Sequence, residues 1–178
     1  MSDKVGKFIV IFVFAALSSL EMHSQECSAG TSWSISGISA DFKWKTAEDS
    51  FMWAQAKMEL TETFLNNSSA TGASASLTWN STFGEKKLCD DSIFQFYAGP
   101  GITAGYCKDY KSGKGAFIGL MGRAGVMIMY DRNIDICVGL SPVLGIHITS
   151  EKNSISTQYY KHGLIQCIIP EISICYRF

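Results

Sequence analysis

The chain has 178 residues, with 15 Lys and Arg against 16 Asp and Glu and a hydrophobic share of 47%, a length that suits one domain. The near-neutral balance, without a basic stripe, excludes the electrostatic footprint on which nucleic-acid binding rests. Charged residues are only 17%, below the roughly 25% usual in soluble domains, yet no apolar run beyond the N-terminus reaches the ~18 residues of a spanning helix, so a helical membrane bundle is also excluded.

At the N-terminus, Lys4 and Lys7 precede the apolar run Phe8 to Leu20, interrupted only by Ser18 and Ser19, and a polar exit follows from Glu21 to Gln25. Residues 1–25 read as a secretory signal peptide cleaved after Gln25, and 26–178 as the mature domain. Met22-His23-Ser24-Gln25 depart from the small-x-small rule at such sites. Cys27 is not preceded by the small residues of a lipoprotein box, so lipid attachment there is not expected. Export would make disulfides chemically available.

From Cys27 to Lys45 the apolar phase switches, because Trp33 and Ile35 are odd whereas Ile38, Ala40, Phe42 and Trp44 are even. A two-residue turn at Ser36-Gly37 would make this a hairpin with Ile35 facing Ile38. One long strand bulged near Ser36 is the alternative.

Six further segments alternate with the two-residue period of a strand. In Phe51 to Phe64 the even residues Met52, Ala54, Ala56, Met58 and Leu60 are apolar against Gln55, Lys57 and Glu59. In Ala73 to Trp79 the odd residues are apolar. Phe94 to Tyr106 sets Phe96, Ile102 and Tyr106 against Gly99, Gly101 and Gly105. Ile118 to Ile128 encloses Gly119, Arg123 and Gly125. Ile134 to Ile148 encloses Asp135, Gly139, Gly145 and His147. Ile168 to Phe178 sets Ile172, Ile174, Tyr176 and Phe178 against Glu171, Ser173 and Arg177. The links Thr46–Asp49, Asn66–Ser69, Gly84–Asp91, Lys108–Lys114, Asp131–Asn133 and Ser150–His162 are short enough for an antiparallel meander. The expected fold class is all-β, an eight-stranded antiparallel up-and-down transmembrane β-barrel.

The composition of the polar face decides which side is inside. It is crowded with glycine and small serine, plus charges of both signs: Asp41, Lys43, Lys57, Glu59, Arg123, Asp135, Glu171 and Arg177. Small residues and mutually neutralising charges suit a narrow lumen in which each charge needs a partner. Trp33, Trp44, Trp53, Trp79, Tyr106, Tyr130, Tyr176 and Phe178 lie near segment ends, where interfacial girdles belong.

The end of the chain, Ile172-Ser173-Ile174-Cys175-Tyr176-Arg177-Phe178, resembles the C-terminal signal by which bacterial outer-membrane barrels are recognised for insertion, with Ile174, Tyr176 and Phe178 as its apolar positions. Ser24-Gln25 and Phe96-Tyr97-Ala98-Gly99-Pro100-Gly101 are similar to segments of small outer-membrane, porin-like β-barrel proteins of Bacteroidetes-type bacteria. The resemblance implies an integral outer-membrane protein whose C-terminus is periplasmic, inserted by the barrel-assembly machinery, with outer-membrane lipid around it. It carries no shared enzymatic site, and six cysteines are more than such barrels usually hold.

Level ends in the last hairpin would place Cys137 opposite Cys175, a candidate disulfide of demanding geometry, and Asp135 opposite Arg177, a candidate ion pair. Cys89 and Cys107 sit at loop margins, and Cys167 has no evident partner. His147 is the one histidine within a strand. Ser141, Thr149, Ser150 and Glu151 are near it in sequence, but no nucleophile motif surrounds it. No Cys or His spacing suits zinc; His23 leaves with the signal peptide and His162 stands in a loop. Asn66-Asn67-Ser68-Ser69 and Asn80-Ser81-Thr82 read as turn and strand-end residues. The Ser150–His162 link, with Tyr159, Tyr160 and Lys161, is the longest and the best placed for surface contact.

The expectation is a monomeric barrel with a filled lumen and a structural or surface-interaction role, no enzyme, and neither metal nor cofactor. A soluble secreted barrel for a small apolar ligand is the first alternative, and a lipid-modifying enzyme using His147 the second.

Overall fold

The computed structural model describes residues 26–61, 71–89, 92–110, 113–130, 133–151, 154–165 and 167–178. The expected signal peptide, residues 1–25, and the expected link at 66–69 lie outside them. The described chain is all-β, with one short helix. Its strands are β1 (Cys27–Ser34), β2 (Gly37–Ala47), β3 (Ser50–Glu59), β4 (Gly72–Cys89), β5 (Ser92–Lys108), β6 (Lys114–Tyr130), β7 (Ile134–Leu140), β8 (Val143–Glu151), β9 (Ser154–Tyr159) and β10 (Glu171–Arg177), with helix α1 (Lys161–Ile165) before β10.

All strand pairs are antiparallel, and eight of the strands pair in a ring. Sequential partners run from β1 to β7, β7 pairs β10, and β10 pairs β1. β8 continues the line of β7 and pairs the other half of β6, after a break at Ser141-Pro142. β9 then pairs β8. The break falls where Pro142 has no N–H to give to a ladder, and Gly122 N–H still donates to the Pro142 carbonyl at 2.9 Å.

One side of the ring is tall and regular. All seventeen residues of β5 pair with β6 in an unbroken register. The other side is short, with eight residues in β1 and seven in β10.

The faces divide as the alternation predicts. Large apolar side chains look outward, among them Leu120 at 70%, Leu144 at 68% and Ile102 at 60% exposure. The interior side carries buried Asp41, Lys43, Arg123 and His147. Buried apolar residues form two small interior clusters, one around Phe51, Trp53, Tyr97 and Met127, the other around Phe117, Met121, Val143 and Tyr160.

Several local expectations are corrected. The first hairpin forms, but its turn is Ile35-Ser36, one residue earlier, so Trp33 rather than Ile35 faces Ile38. Gly37 has φ 149° and lies where a side chain would meet the Met58 carbonyl, so the glycine serves close strand approach, while the Ser36 hydroxyl turns inward to accept from Lys57 Nζ. The expected link Gly84–Asp91 is mostly strand; Gly84, at φ 67°, sits in a register shift between Phe83 and Lys86 as β4 runs on to Cys89. The expected Ser150–His162 link contains β9, so it is a hairpin extension rather than a long loop. The last strand starts at Glu171, and Ile168 lies in the preceding turn, 80% exposed.

Trp53, expected in a girdle, is 1% exposed and points inward. Its odd number in β3 places it on the side of Gln55 and Lys57, and parity outweighs nearness to a strand end.

Candidate functional site

The interior is the only region of the described chain where many charged side chains converge. Because both strand faces are formed by strict alternation, every second residue of eight neighbouring strands is driven into one narrow space, and the small residues between them leave room for long polar side chains.

At its centre Arg123 of β6 reaches across. Nε donates to Ser141 Oγ at 3.2 Å, and Nη2 donates to Gln55 Oε1 at 2.9 Å and to Glu171 Oε1 at 3.3 Å. Gln55 Nε2 donates in turn to Glu171 Oε1 at 2.9 Å and Asp41 Oδ1 at 3.1 Å. Among the described residues Asp41 has no cation in ion-pair contact; Ser173 Oγ donates to its Oδ2 at 2.8 Å, and Ser32 and Ser39 hydroxyls reach its Oδ1. A carboxylate that accepts several hydrogen bonds is held without a counter-charge.

Trp53 separates two cations. Arg123 Cζ lies 3.9 Å and Lys43 Nζ 4.1 Å from its ring, an arrangement in which the negative π faces offset part of the desolvation cost of both charges. Lys43 makes its hydrogen bond to Cys137 Sγ at 3.0 Å.

The eight charges expected in the lumen therefore do face the interior, but not as one network. Lys57 and Glu59 are 3.9 Å apart, Arg123 pairs Glu171, and Arg177 pairs Asp135, while Asp41 is held by hydroxyls and an amide, and Lys43 by a thiol and an indole.

Cys137 and Cys175 both face inward but are not joined to each other, and Cys27 and Cys167 are likewise free thiols, while Cys107 Sγ donates to the Tyr160 hydroxyl at 3.8 Å. The register pairs Cys137 with Ser173 and Cys175 with Asp135, two residues from the level-ended expectation. Helix α1 and the turn after it put eleven residues, 160–170, between β9 and β10, so counting back from the β8–β9 turn cannot fix the pairing of β10. The Arg177 to Asp135 ion pair forms diagonally across that register. Ile174, Tyr176 and Phe178 lie on the outer face, 43%, 56% and 62% exposed.

The end of the interior away from Cys27 and Phe178 is closed. Tyr160 stacks on Phe117 with ring centroids 4.3 Å apart and planes at 9°. Asp109, fully buried, accepts the backbone N–H groups of Lys161 and His162 at 2.9 Å each and lies 3.5 Å from His162 Nδ1. This satisfies two of the donors that a helix start leaves open. The space left among Lys57, Glu59, Ser76, Phe117 and Tyr160 is about 10 Å³, room for one water at most.

His147 is fully buried there, and its Nε2 contacts the Cys107 carbonyl at 3.1 Å. Of the residues near it in sequence, Ser141 accepts from Arg123 and Thr149 donates to the Ser156 carbonyl at 3.5 Å, while the side chains of Ser150 and Glu151 lie outside what is described. Neither Ser141 nor Thr149 hydrogen-bonds the imidazole, which general-base activation of a nucleophile requires. Among the described residues no group of three or more His, Cys, Asp or Glu is arranged to hold a metal ion, and no helix is long and apolar enough to cross a membrane.

Sequence reasoning missed the inward Phe51, Trp53 and Tyr97, whose parity was the available signal, and Asp109, which the pattern gave no reason to single out. No family model matches the chain, and no curated protein matches it either.

Proposed function

We propose that the mature chain is an eight-stranded transmembrane β-barrel of a bacterial outer membrane, exported by the signal peptide at 1–25, with a filled lumen and a structural or surface-interaction role. The observation that carries this reading is the polarity of the wall. Its outer surface exposes Ile102, Ile118, Leu120 and Leu144, while Asp41, Lys43, Arg123 and Glu171 are buried inside. Outward apolar side chains on neighbouring strands make a continuous surface of the kind soluble monomers rarely tolerate, and hydrocarbon is the solvent that suits it.

A ring of paired strands also leaves few backbone groups without a partner, the condition for crossing lipid with strands. A soluble barrel for an apolar ligand would need the opposite polarity. The lipid-modifying reading would need a hydroxyl on His147. The β8–β9 hairpin, with Ile155 and Tyr159 78% and 82% exposed, lies away from the termini; with the termini periplasmic it faces outside and is the surface for contact.

Heat-modifiable gel mobility tests the reading. The detergent-extracted protein is expected to migrate differently unboiled and boiled, and to stay with the membrane on fractionation. A product soluble in buffer with no mobility shift would overturn it.

A further inference from the structure

At the end where Cys27 and Arg177 lie, the interior opens into a well of about 390 Å³, within the ~300–1,000 Å³ range of small-molecule sites. This well has a gradient of charge. Deep in it are Lys43, 4% exposed, and the Arg177–Asp135 pair. At the exposed rim, Glu26, Glu48, Asp49 and Glu85 stand, among the described residues, against Lys45 alone. Lys45 is taken up by Glu26 at 3.3 Å, and Glu85 accepts from Gln95 at 3.0 Å. The carboxylates of Glu48 and Asp49 have no ion pair or hydrogen bond among the described residues. The wall mixes apolar Phe51, Ile93, Met127 and Met129 with polar Ser28, Ser50, Thr82 and Gln95.

Lys43 is the decisive residue. A buried ammonium has three donors to satisfy and normally takes a carboxylate. Here its hydrogen-bond acceptor is the Cys137 thiol, a weak one, and no carboxylate lies within 4 Å among the described residues. A small anion entering the well would complete its coordination. A bare anion would first meet the acidic rim, so the favoured ligand carries a cation at its other end.

We infer that the well binds a small zwitterion with an apolar body, an amino acid or short peptide, its carboxylate on Lys43, its side chain against Met127 and Met129, and its ammonium between Glu48 and Asp49. This goes beyond the proposed membrane role and does not depend on what surrounds the wall.

Titration calorimetry of the full folded chain with the dipeptide alanyl-leucine tests it, with the C-terminal amide and the N-acetyl form as the two other arms. The dipeptide is expected to bind. The amide, which leaves Lys43 without its anion, should bind at least about thirtyfold more weakly, and the N-acetyl form about two- to fivefold more weakly, because the rim is solvated. Lys43→Met should lose the discrimination between acid and amide. The exposed pair Glu48→Gln and Asp49→Asn should weaken the dipeptide toward its N-acetyl form and, by relieving the repulsion on that anion, leave the N-acetyl form bound as well as before or better. No binding by the wild-type chain, equal binding of acid and amide, or discrimination that survives Lys43→Met in folded protein would each overturn the assignment. The ligand arms and the rim variants decide it even if Lys43→Met does not fold.

Discussion

The tall side of the ring, β4 to β6, and the short side, from β7 through β10 to β1, are built on the same alternation and behave differently as structures. On the tall side each residue of β5 has a partner on β6, and the strands have 17 or 18 residues. On the short side the wall is interrupted twice, at Ser141-Pro142 and across residues 160–170. Order there rests on single contacts: Asp109 on the start of α1, Tyr160 on Phe117, and the backbone bond from Gly122 N–H to the Pro142 carbonyl. A continuous ladder distributes stability over many bonds, whereas a broken one concentrates it at a few residues.

Arg123 ties the two sides together, and its removal should be the most disruptive change. Arg123→Ala leaves Glu171 buried without its cation and empties one face of Trp53. We expect a loss of about 3–5 kcal/mol, measured as a shift of the urea unfolding midpoint of the refolded protein. Tyr160→Ala removes the stack that holds the segment before α1 to Phe117 of β6, opening a space there and costing about 3 kcal/mol. Asp109→Asn should cost about 1–3 kcal/mol, because an acceptor with full charge is lost from two N–H groups. Its informative readout is hydrogen exchange. The amides of 160–165 should exchange faster while those of β5 and β6 keep wild-type protection, and equal acceleration on both sides would break the distinction between them. Glu26→Gln, at an exposed ion pair, should change stability by less than about 0.5 kcal/mol.

On the tall side β5 and β6 were largely legible in the sequence because a two-residue period fixes faces wherever strands are uninterrupted, whereas β4 was legible only over Ala73–Trp79 and its end beyond Gly84 was expected as a link. Gly99, Gly101, Arg123 and Gly125 could be placed inside by number alone. The inward charges were legible for the same reason. What they touch was not: parity says that Lys43 and Cys137 face inward, but their contact joins strands far apart in sequence across the interior. The position of β10 relative to β7 was hidden too, since it depends on how much chain α1 consumes, and five helical residues, Lys161–Ile165, carry no periodicity long enough to read. Trp53 shows the cost of reading residue type over parity, as an aromatic near a strand end suggested an outer girdle while its odd number pointed in.

The seam between β1 and β10 holds a further consequence. Phe178 N–H donates to the Cys27 carbonyl at 3.0 Å, so the beginning and end of the described chain are hydrogen-bonded neighbours. Closure of the ring must wait for β10, and a chain made only as far as β9 presents a bare sheet edge open to mispairing. The same adjacency makes the molecule a candidate for circular permutation: a short bridge from Phe178 to Glu26 would let new ends be cut at the β5–β6 turn without displacing any strand from its neighbours.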